Sequence, residues 1–150
     1  MTLNALWKKR NTDRLAGQHP RLIEKVTLVL DVMERLGHPM VITDGVRTKA
    51  QQQALYAQGR TTPGKIVTYA DGTPKPQGKG VSNHQPWADG FGHAVDCTFV
   101  VDLDADGDMD DPTWDERRPW RLYGEVAKSQ GLSWGGHWNR PDKPHVELLT

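Results

Sequence analysis

The clearest indication of the fold is a strongly β-forming run, Ala94-Val95-Asp96-Cys97-Thr98-Phe99-Val100-Val101. Its valine, threonine and phenylalanine residues predict a central β-strand. Alternate side chains of a strand share a face, so Asp96 points to the same side as Ala94, while Val95 and Cys97 point to the other side. A carboxylate therefore lies inside a strand, which makes Asp96 a candidate functional residue.

The residues before this strand predict two helices and another strand. Apolar residues recur with the 3.6-residue helical period over residues 20–36 and predict an amphipathic helix. Residues 40–43 predict a short buried strand. Thr48 is a suitable N-cap for a second helix, which runs to about Gln58 and stops at Gly59.

The remaining residues predict one more helix and three short strands. Residues 61–83 are rich in glycine, proline and lysine and predict a loop that contains one strand at 65–69. A helix is predicted over 119–130, with strands near 132–134 and 145–148. Because helices and short strands alternate irregularly, we predict an α+β fold, with a small antiparallel sheet and helices packed around it.

Composition excludes several classes of protein. The chain has 150 residues, which fits a single domain over 1–150 with a core of its own. No apolar run approaches the ~20 residues of a membrane span. The one cysteine, Cys97, excludes an intrachain disulfide, and the first residues lack the charge order of a secretory signal. The 19 basic residues balance 19 acidic ones and form no basic-aromatic stripe, so we expect no nucleic-acid partner.

Three potential metal ligands come from three separate elements. His84 follows the loop-rich segment, Asp96 lies in the central strand and His145 begins the last strand. Two imidazoles and a carboxylate form a three-ligand zinc site that leaves a fourth position for water. Each residue alone is more typical of an ordinary hydrogen-bonding side chain. Because the three come from separate elements, their spacing in the sequence does not establish a metal site. If the strand includes residue 93, parity excludes His93 and Cys97 as partners of Asp96.

Two more residues are candidates for catalysis. Asp142 stands three residues before His145 and could exchange a proton with a metal-bound water, although aspartate is also a common turn residue before Pro144. Arg47 follows a predicted strand, and its guanidinium could stabilise an oxyanion or hold a substrate carboxylate. An ordinary ion pair with Asp44 is the alternative for Arg47.

Six aspartates and no basic residue lie between positions 102 and 111. Positions 1, 3, 5, 6 and 7 of a calcium-binding loop are matched by Asp102, Asp104, Asp106, Gly107 and Asp108. Position 12 is Thr113 instead of the usual glutamate, and the register that begins at Asp104 is also incomplete. Crowded carboxylates repel unless they are solvated or share a cation. A solvated acidic loop and a calcium site therefore both remain open.

Ordered motifs link these candidates to a known family. The motifs are Asp44-Gly45-Val46-Arg47-Thr48, Ser82-Asn83-His84, Gly92-His93-Ala94-Val95-Asp96, Trp134-Gly135-Gly136 and Asp142-Lys143-Pro144-His145. Together they resemble the zinc D-alanyl-D-alanine carboxypeptidases and L-alanyl-D-glutamate endopeptidases that act on peptidoglycan, over about residues 15–148. Eleven residues separate His84 from Asp96, more than is usual in that family. The additional residues 87–91 are expected to bulge as a loop at the rim of the cleft.

The resemblance implies a fold of the Hedgehog and DD-peptidase type and a role for each candidate residue. One catalytic Zn²⁺ is expected on His84, Asp96 and His145. Asp142 is expected to be the general base, and Arg47 the cation that stabilises the transition state or anchors the substrate. Substrate contacts are expected from Ser82, Gln53 and His137. The family also favours a regulatory or structural Ca²⁺ on Asp102, Asp104, Asp106 and Asp108, with Asp115 or Glu116 closing the site.

The expected function is hydrolysis of the L-alanyl-D-glutamate bond in the peptidoglycan stem peptide. The resemblance is greatest to a monomeric bacteriophage endolysin without a separate wall-binding module, an antimicrobial enzyme that lyses the bacterial cell. Such an enzyme waits in the host cytoplasm and then acts on the periplasmic cell wall, without stable membrane association. A D-alanyl-D-alanine carboxypeptidase and a non-catalytic metal-binding module for wall peptides are the alternatives.

Overall fold

The computed structural model describes residues 3–75 and 80–149. The helices in chain order are α1 (Ala5–Arg14), α2 (Pro20–Arg35), α3 (Lys49–Ala57) and α4 (Trp120–Ser129), with a 3₁₀ turn at Gly135–His137. The strands are β1 (Met40–Asp44), β2 (Ala94–Val101), β3 (Asp111–Thr113), β4 (Ser133–Trp134) and β5 (His145–Glu147). In the described part of the chain, no helix is both long and apolar enough to cross a bilayer.

The strands form one antiparallel sheet with β2 at its centre. β1 pairs with one edge of β2, while β5 and β3 share the other edge, and β4 pairs with β5. Asp96 of β2 lies directly opposite His145 of β5, so the sheet register itself brings these two candidate ligands together. The predicted α+β class with a small antiparallel sheet is confirmed.

The core lies between one face of the sheet and helices α2 and α4. Val95, Cys97 and Phe99 of β2 point into it. They meet side chains that repeat at helical spacing on α2 and α4, which are Leu22, Val26, Val29, Met33, Trp120, Tyr123 and Ala127. Full burial of a large apolar side chain is favourable by about 1.5–3 kcal/mol. The predicted alternation of β2 is confirmed, because Asp96 lies on the face away from this core.

Local signals at α3 also agree with the structure. The hydroxyl of Thr48 accepts the Gln51 backbone N–H at 3.1 Å, and the Gln51 side chain accepts the Thr48 backbone N–H at 2.8 Å. This reciprocal capping box fixes where α3 begins. Arg47 is the residue directly before this cap.

Two elements, α1 and β3, have no counterpart among the predicted ones, and one predicted strand is wrong. α1 is anchored by a long-range polar contact, in which the Asn11 side chain accepts from the backbone of Ile42 at 2.8 Å and donates to that of Met40 at 3.3 Å. Residues 65–69 form no strand. They contact α3 instead. The side-chain amide of Gln52, a buried residue of α3, donates to the Thr68 hydroxyl at 3.1 Å.

Candidate active site

His84, Asp96 and His145 meet at one point beside the edge of the sheet. Their facing atoms are His84 Nε2, Asp96 Oδ1 and His145 Nδ1. The two nitrogens are 3.2 Å apart, and Asp96 Oδ1 lies 3.4 Å from His84 Nε2 and 3.2 Å from His145 Nδ1. Zinc bonds of 2.0–2.1 Å in a tetrahedron separate neighbouring ligand atoms by about 3.3 Å. The spacing of this donor set therefore fits a tetrahedral metal ion.

Hydrogen bonds on the far side of each imidazole determine which nitrogen is free. His84 Nδ1 lies 2.9 Å from the carbonyl oxygen of Gly45, which can only accept, so the proton is on Nδ1. His145 Nε2 lies 3.0 Å from a carboxylate oxygen of Glu147 and donates to it in the same way. The lone pairs of His84 Nε2 and His145 Nδ1 thus face each other and Asp96. Such outer contacts orient metal-binding histidines.

Burial and charge shift the pKa values of this cluster strongly. Burial alone would raise the pKa of Asp96, but its contacts with the imidazoles of His145 and His84 outweigh it and hold the pKa well below its usual range. Burial lowers the pKa of His145, yet contacts with Asp96 and Glu147 raise it to about 9. In the absence of metal, a proton on His145 therefore offsets the negative charge of Asp96 and Glu147. A metal ion would replace that proton, because a ligating nitrogen must be deprotonated.

Asp142 lies beside this cluster, with its Oδ2 atom 3.9 Å from His145 Nδ1. Burial and the nearby charge of Asp96 raise the pKa of Asp142, against the opposing effects of His145, His84 and Arg47. A carboxylate with a raised pKa is a better proton acceptor. Asp142 is thus both close enough and basic enough to serve a reaction at the cluster.

The segment that carries Asp142 and His145 is held by the Trp134-Gly135-Gly136 motif. The Asp142 backbone N–H donates to the Gly135 carbonyl at 2.8 Å, and the Trp134 indole N–H donates to the Lys143 carbonyl at 2.7 Å. A Cβ atom at Gly135 would lie 2.4 Å from the Asp142 carbonyl oxygen. The glycine is therefore required for the close approach of the two backbones, and this approach positions Asp142.

Arg47 lies at the end of β1, and its side chain is mostly buried in the cleft. Its guanidinium forms an ion pair with Asp44 and donates to Gln52 Oε1 at 2.7 Å. Its backbone N–H donates to the His84 carbonyl at 2.8 Å. The ion pair with Asp44 is thus present, and Arg47 still lines the cavity that contains His84. The guanidinium is held in one orientation by two partners.

The cluster opens into a cleft of about 460 Å³. Its polar lining includes Asp44, Arg47, Thr68, Ser82, Asn83, His84, Asp96, Asp142, His145 and Glu147, and its apolar lining Leu55, Val67, Ala70, Val81 and Trp138. Tyr69, between the lining residues Thr68 and Ala70, has the Arg140 guanidinium 3.7 Å from the centre of its ring. The dimensions and the polar floor suit an extended polar chain such as a peptide.

Of the three expected substrate contacts, the structure brings only Ser82 to the cleft. The Ser82 hydroxyl accepts the His84 backbone N–H at 3.2 Å. Gln53 is exposed and lies outside the cavity lining, while its neighbour Gln52 is the residue that reaches Arg47. His137 packs against Trp134 and contacts Lys128 Nζ at 2.9 Å, also outside the cleft. Gln53 and His137 thus lie outside the cleft lining, and their contacts with substrate stay predictions.

Four further residues contribute to the site and were not predicted from the sequence, namely Glu147, Asn83, Gln52 and Trp138. Glu147 is buried and receives hydrogen bonds from His145 and Asn83. Strand parity could have found it, because residues two apart in a strand share a face. Trp138 packs against the His145 ring at 4.9 Å between centroids, and nothing in its local sequence indicates that contact.

The additional residues 87–91 pack away from the cleft and do not rim it. The Trp87 ring stacks on His93, with centroids 3.6 Å apart and planes 5° from parallel. Asp89 accepts from His93 Nε2 at 2.7 Å. Residues 88–91 form an exposed loop, but residues 87–91 are absent from the cavity lining, so the expected place at the rim of the cleft is corrected. His93 is thereby satisfied on the face opposite Asp96.

The aspartate run forms an exposed turn after β2. Asp102 accepts the backbone N–H groups of Asp106 at 3.1 Å and Gly107 at 2.9 Å, and one carboxylate atom from each of Asp102, Asp104 and Asp106 lies within 4.8 Å of the others. Asp108 groups instead with Asp106 and Asp110. The residues expected to close the site are engaged elsewhere. Asp115 pairs with Arg117, and Glu116 pairs with Lys143, so their part in a calcium site stays a prediction.

The chain is similar in sequence to enzymes of peptidoglycan. A family model described as D-alanyl-D-alanine carboxypeptidase matches residues 76–148. The peptidoglycan L-alanyl-D-glutamate endopeptidase CwlK of Bacillus subtilis (strain 168) is 33% identical over 132 residues, which cover 87% of this chain and 73% of CwlK.

Solved structures with the same fold were found as well. The L-Ala D-Glu endopeptidase ChiX of Serratia marcescens has a TM-score of 0.61 at 19% identity, covering 99% of this chain and 90% of ChiX. The D,D-pentapeptidase VanY, solved as an E175A mutant in complex with Zn(II), has a TM-score of 0.54 at 17% identity, covering 89% of this chain and 73% of VanY. At these identities the similarity establishes the fold.

Proposed function

Because this chain belongs to the family of D-alanyl-D-alanine carboxypeptidases and peptidoglycan L-alanyl-D-glutamate endopeptidases, we propose that it is a zinc-dependent peptidase of the bacterial cell wall. The observation that carries the proposal is the convergence of His84 Nε2, Asp96 Oδ1 and His145 Nδ1 within 3.4 Å, next to Asp142. These three residues would hold the metal ion. A bound Zn²⁺ supplies a water of lowered pKa and polarises a carbonyl group.

Two side chains of the protein take part in the reaction, Asp142 in proton transfer and Arg47 in charge stabilisation. Asp142 takes a proton from the attacking water, for which its raised pKa suits it, and delivers that proton to the amine that leaves. Arg47 lies across the same cleft, where Asp44 and Gln52 hold its guanidinium. Its charge stabilises the negative oxygen that develops on the cleaved carbonyl.

The bond we propose is the one between L-alanine and D-glutamate in the stem peptide. The sequence similarity to CwlK supports it, since CwlK is an L-alanyl-D-glutamate endopeptidase. The matching family model is described as D-alanyl-D-alanine carboxypeptidase, which makes cleavage at the D-alanyl end the second candidate. The two reactions release different fragments. Mass spectrometry of purified peptidoglycan after digestion should find new amino termini on D-glutamate, and release of D-alanine alone would favour the second candidate.

The Asp142→Asn variant separates an enzyme from a binding module. The change removes the proton acceptor and keeps the shape, so hydrolysis should fall about 10²–10⁴-fold. Zinc content, measured by inductively coupled plasma mass spectrometry, should not change, because Asp142 is not one of the three ligands. A variant that hydrolyses peptidoglycan at the original rate would contradict the role of Asp142.

We further propose that the enzyme is a single-domain, monomeric endolysin that a bacteriophage releases from the host cytoplasm onto the cell wall. The peptidoglycan specificity proposed above is what such a role requires. Expression in a bacterium should leave cells intact until a membrane pore is co-expressed, and then lyse them. Lysis that does not occur with the pore, or that the Asp142→Asn variant produces equally well, would contradict this role.

We also propose a calcium ion on Asp102, Asp104 and Asp106. Their carboxylates already converge in the turn, and Gly107 has the positive φ of 92° that suits the sharp bend at position 6 of a calcium loop. The carboxyl group of Asp110 has one solvent-inaccessible oxygen without a hydrogen-bond partner in the described structure. The ion would relieve repulsion among these carboxylates and stabilise the turn.

A further inference from the structure

A second groove adjoins the cleft on the other side of Asp142. Its volume is about 420 Å³, and its lining consists of Trp114, Glu116, Trp120, Pro141, Asp142, Lys143 and Pro144. Asp142 is the residue that both cavities share. A chain bound across the general base therefore passes from the cleft directly towards this groove.

An exposed aromatic ring lines the groove. Trp114 is 55% exposed, and its ring lies 10° from parallel to that of the buried Trp120, with centroids 6.4 Å apart. Trp120 is itself held by a hydrogen bond of 3.0 Å from its indole N–H to the Asp115 carbonyl. The exposed Trp114 indole thus lies beside an anchored ring and presents a face that the fold does not cover.

Charged groups lie at the edge of this aromatic surface. The Lys143 ammonium and the Glu116 carboxylate form an exposed ion pair that lines the same groove. A flat apolar face with polar groups beside it matches a ring that is apolar on one face and carries hydroxyl and amide groups at its edge. A pyranose sugar with an acetamido group has this character, and aromatic side chains gain energy by such face contacts.

We propose that this groove is the subsite for the N-acetylated sugar to which the stem peptide is attached. The inference rests on the proposed cleavage between L-alanine and D-glutamate. In peptidoglycan the amino group of that L-alanine is acylated by the side chain of the sugar. The sugar ring therefore lies only about two chain links, roughly 7 Å, from the carbonyl that is cleaved.

The groove is also much larger than the side chain of the first amino acid. The side chain of L-alanine is a single methyl group, which would leave most of a 420 Å³ groove empty. Cleavage at the D-alanyl end would move the sugar at least three residues, or about 10 Å, farther from Asp142. Of the two candidate reactions, cleavage after the first amino acid is therefore the one that brings the sugar to this groove.

Product binding tests the subsite without requiring hydrolysis. Calorimetry of the zinc-saturated protein should compare N-acetylmuramyl-L-alanine with N-acetyl-L-alanine. We expect the sugar-bearing ligand to bind about threefold to tenfold more tightly, the range of one aromatic face contact. Trp114→Ala should abolish this difference, and Trp114→Phe should retain part of it. Leu103→Ala, a change at another exposed apolar residue outside the groove, should leave it unchanged.

Kinetics on two substrates complete the test. For the stem peptide with and without its sugar, wild-type kcat/KM should favour the sugar-bearing form, and Trp114→Ala should lose that preference while its rate on the bare peptide stays within about twofold. Equal binding of both ligands by the wild-type protein, or a sugar preference that survives Trp114→Ala, overturns the inference. A Trp114-dependent sugar preference in product binding without any hydrolysis supports the subsite and contradicts only the proposed reaction.

Discussion

The molecule contains two clusters of metal-type ligands, and they are built in opposite ways. The cluster of His84, Asp96 and His145 is assembled from three distant segments, and both of its histidines are buried. The aspartate turn takes its ligands from neighbouring positions and is largely exposed. In the buried cluster, hydrogen bonds from outside it orient both histidines. In the aspartate turn, the carboxylates accept mainly from the turn's own backbone.

This difference determines how much each cluster depends on a cation. Lone pairs and a carboxylate that face one another repel when they are largely buried, so this cluster requires a proton or a metal ion. Water can solvate the exposed carboxylates, so the aspartate turn is stable without an ion and gains only modestly from one. We therefore expect a large effect of metal at the first cluster and a small one at the second.

Removing one carboxylate from each cluster gives the largest contrast. Asp96→Ala should abolish stoichiometric zinc binding and reduce peptidoglycan hydrolysis to background, because two histidines alone make an incomplete site. The matched variant Asp102→Ala should retain one zinc per chain and full hydrolysis. Metal analysis and release of peptide fragments measure both. Zinc retained by Asp96→Ala would show that the ligands are assigned wrongly.

The pH dependence of zinc affinity should show the competition between metal and proton. Because the pKa of His145 is raised from 6.5 to about 9, zinc must displace a proton at neutral pH. Affinity should rise about tenfold per pH unit, or about a hundredfold between pH 6 and pH 8. Competition with a chromophoric chelator measures it. An affinity that is flat over this range would exclude a proton on the free cluster.

The stability of the metal-free protein should change with pH in the opposite direction. The folded state binds the His145 proton more tightly than the unfolded state, so this stabilisation is complete below about pH 6.5 and is lost as pH rises through about 9. The melting temperature of the metal-free protein should therefore fall over that interval. Saturating zinc should remove the fall.

Glu147 tests whether the hydrogen bonds outside the cluster matter. Glu147→Gln replaces the charged acceptor of His145 Nε2, and such changes typically weaken metal binding about 10–100-fold. Glu116→Gln, which removes an exposed partner of Lys143, is the control and should leave zinc affinity unchanged. Equal zinc affinities in the two variants would argue that His145 needs no such support.

Calcium should have the smallest effect. A cation at a hundred times its Kd stabilises a fold by about 2.7 kcal/mol, which corresponds to roughly 5–10 °C in the melting temperature of a domain this size. The increase should disappear in an Asp102→Ala, Asp104→Ala double variant and persist in Asp96→Ala. If calcium leaves the melting temperature of the wild-type protein unchanged, the aspartate turn is an ordinary solvated loop.

Local sequence was sufficient for the elements whose signals are contained within a few residues. The period of α2, the capping box at Thr48 and the alternation of β2 all follow from side chains that are neighbours in the chain. The same alternation assigned Asp96 and Cys97 to opposite faces. The helical signal of α1 in the sequence is weak. This helix is held by a long-range contact of Asn11 with β1, and no local sequence pattern reveals such a contact.

The sequence by itself determined the fold class and the residue types that can bind a metal. The folded chain was needed to show that Gln52 reaches Arg47, that Glu147 orients His145, and that Asp115 pairs with Arg117. Periodicity tells which face of an element a side chain occupies, because it depends on backbone geometry alone. Which partners that face meets, and how far burial shifts a pKa, depend on residues tens of positions away that come together only in the folded chain.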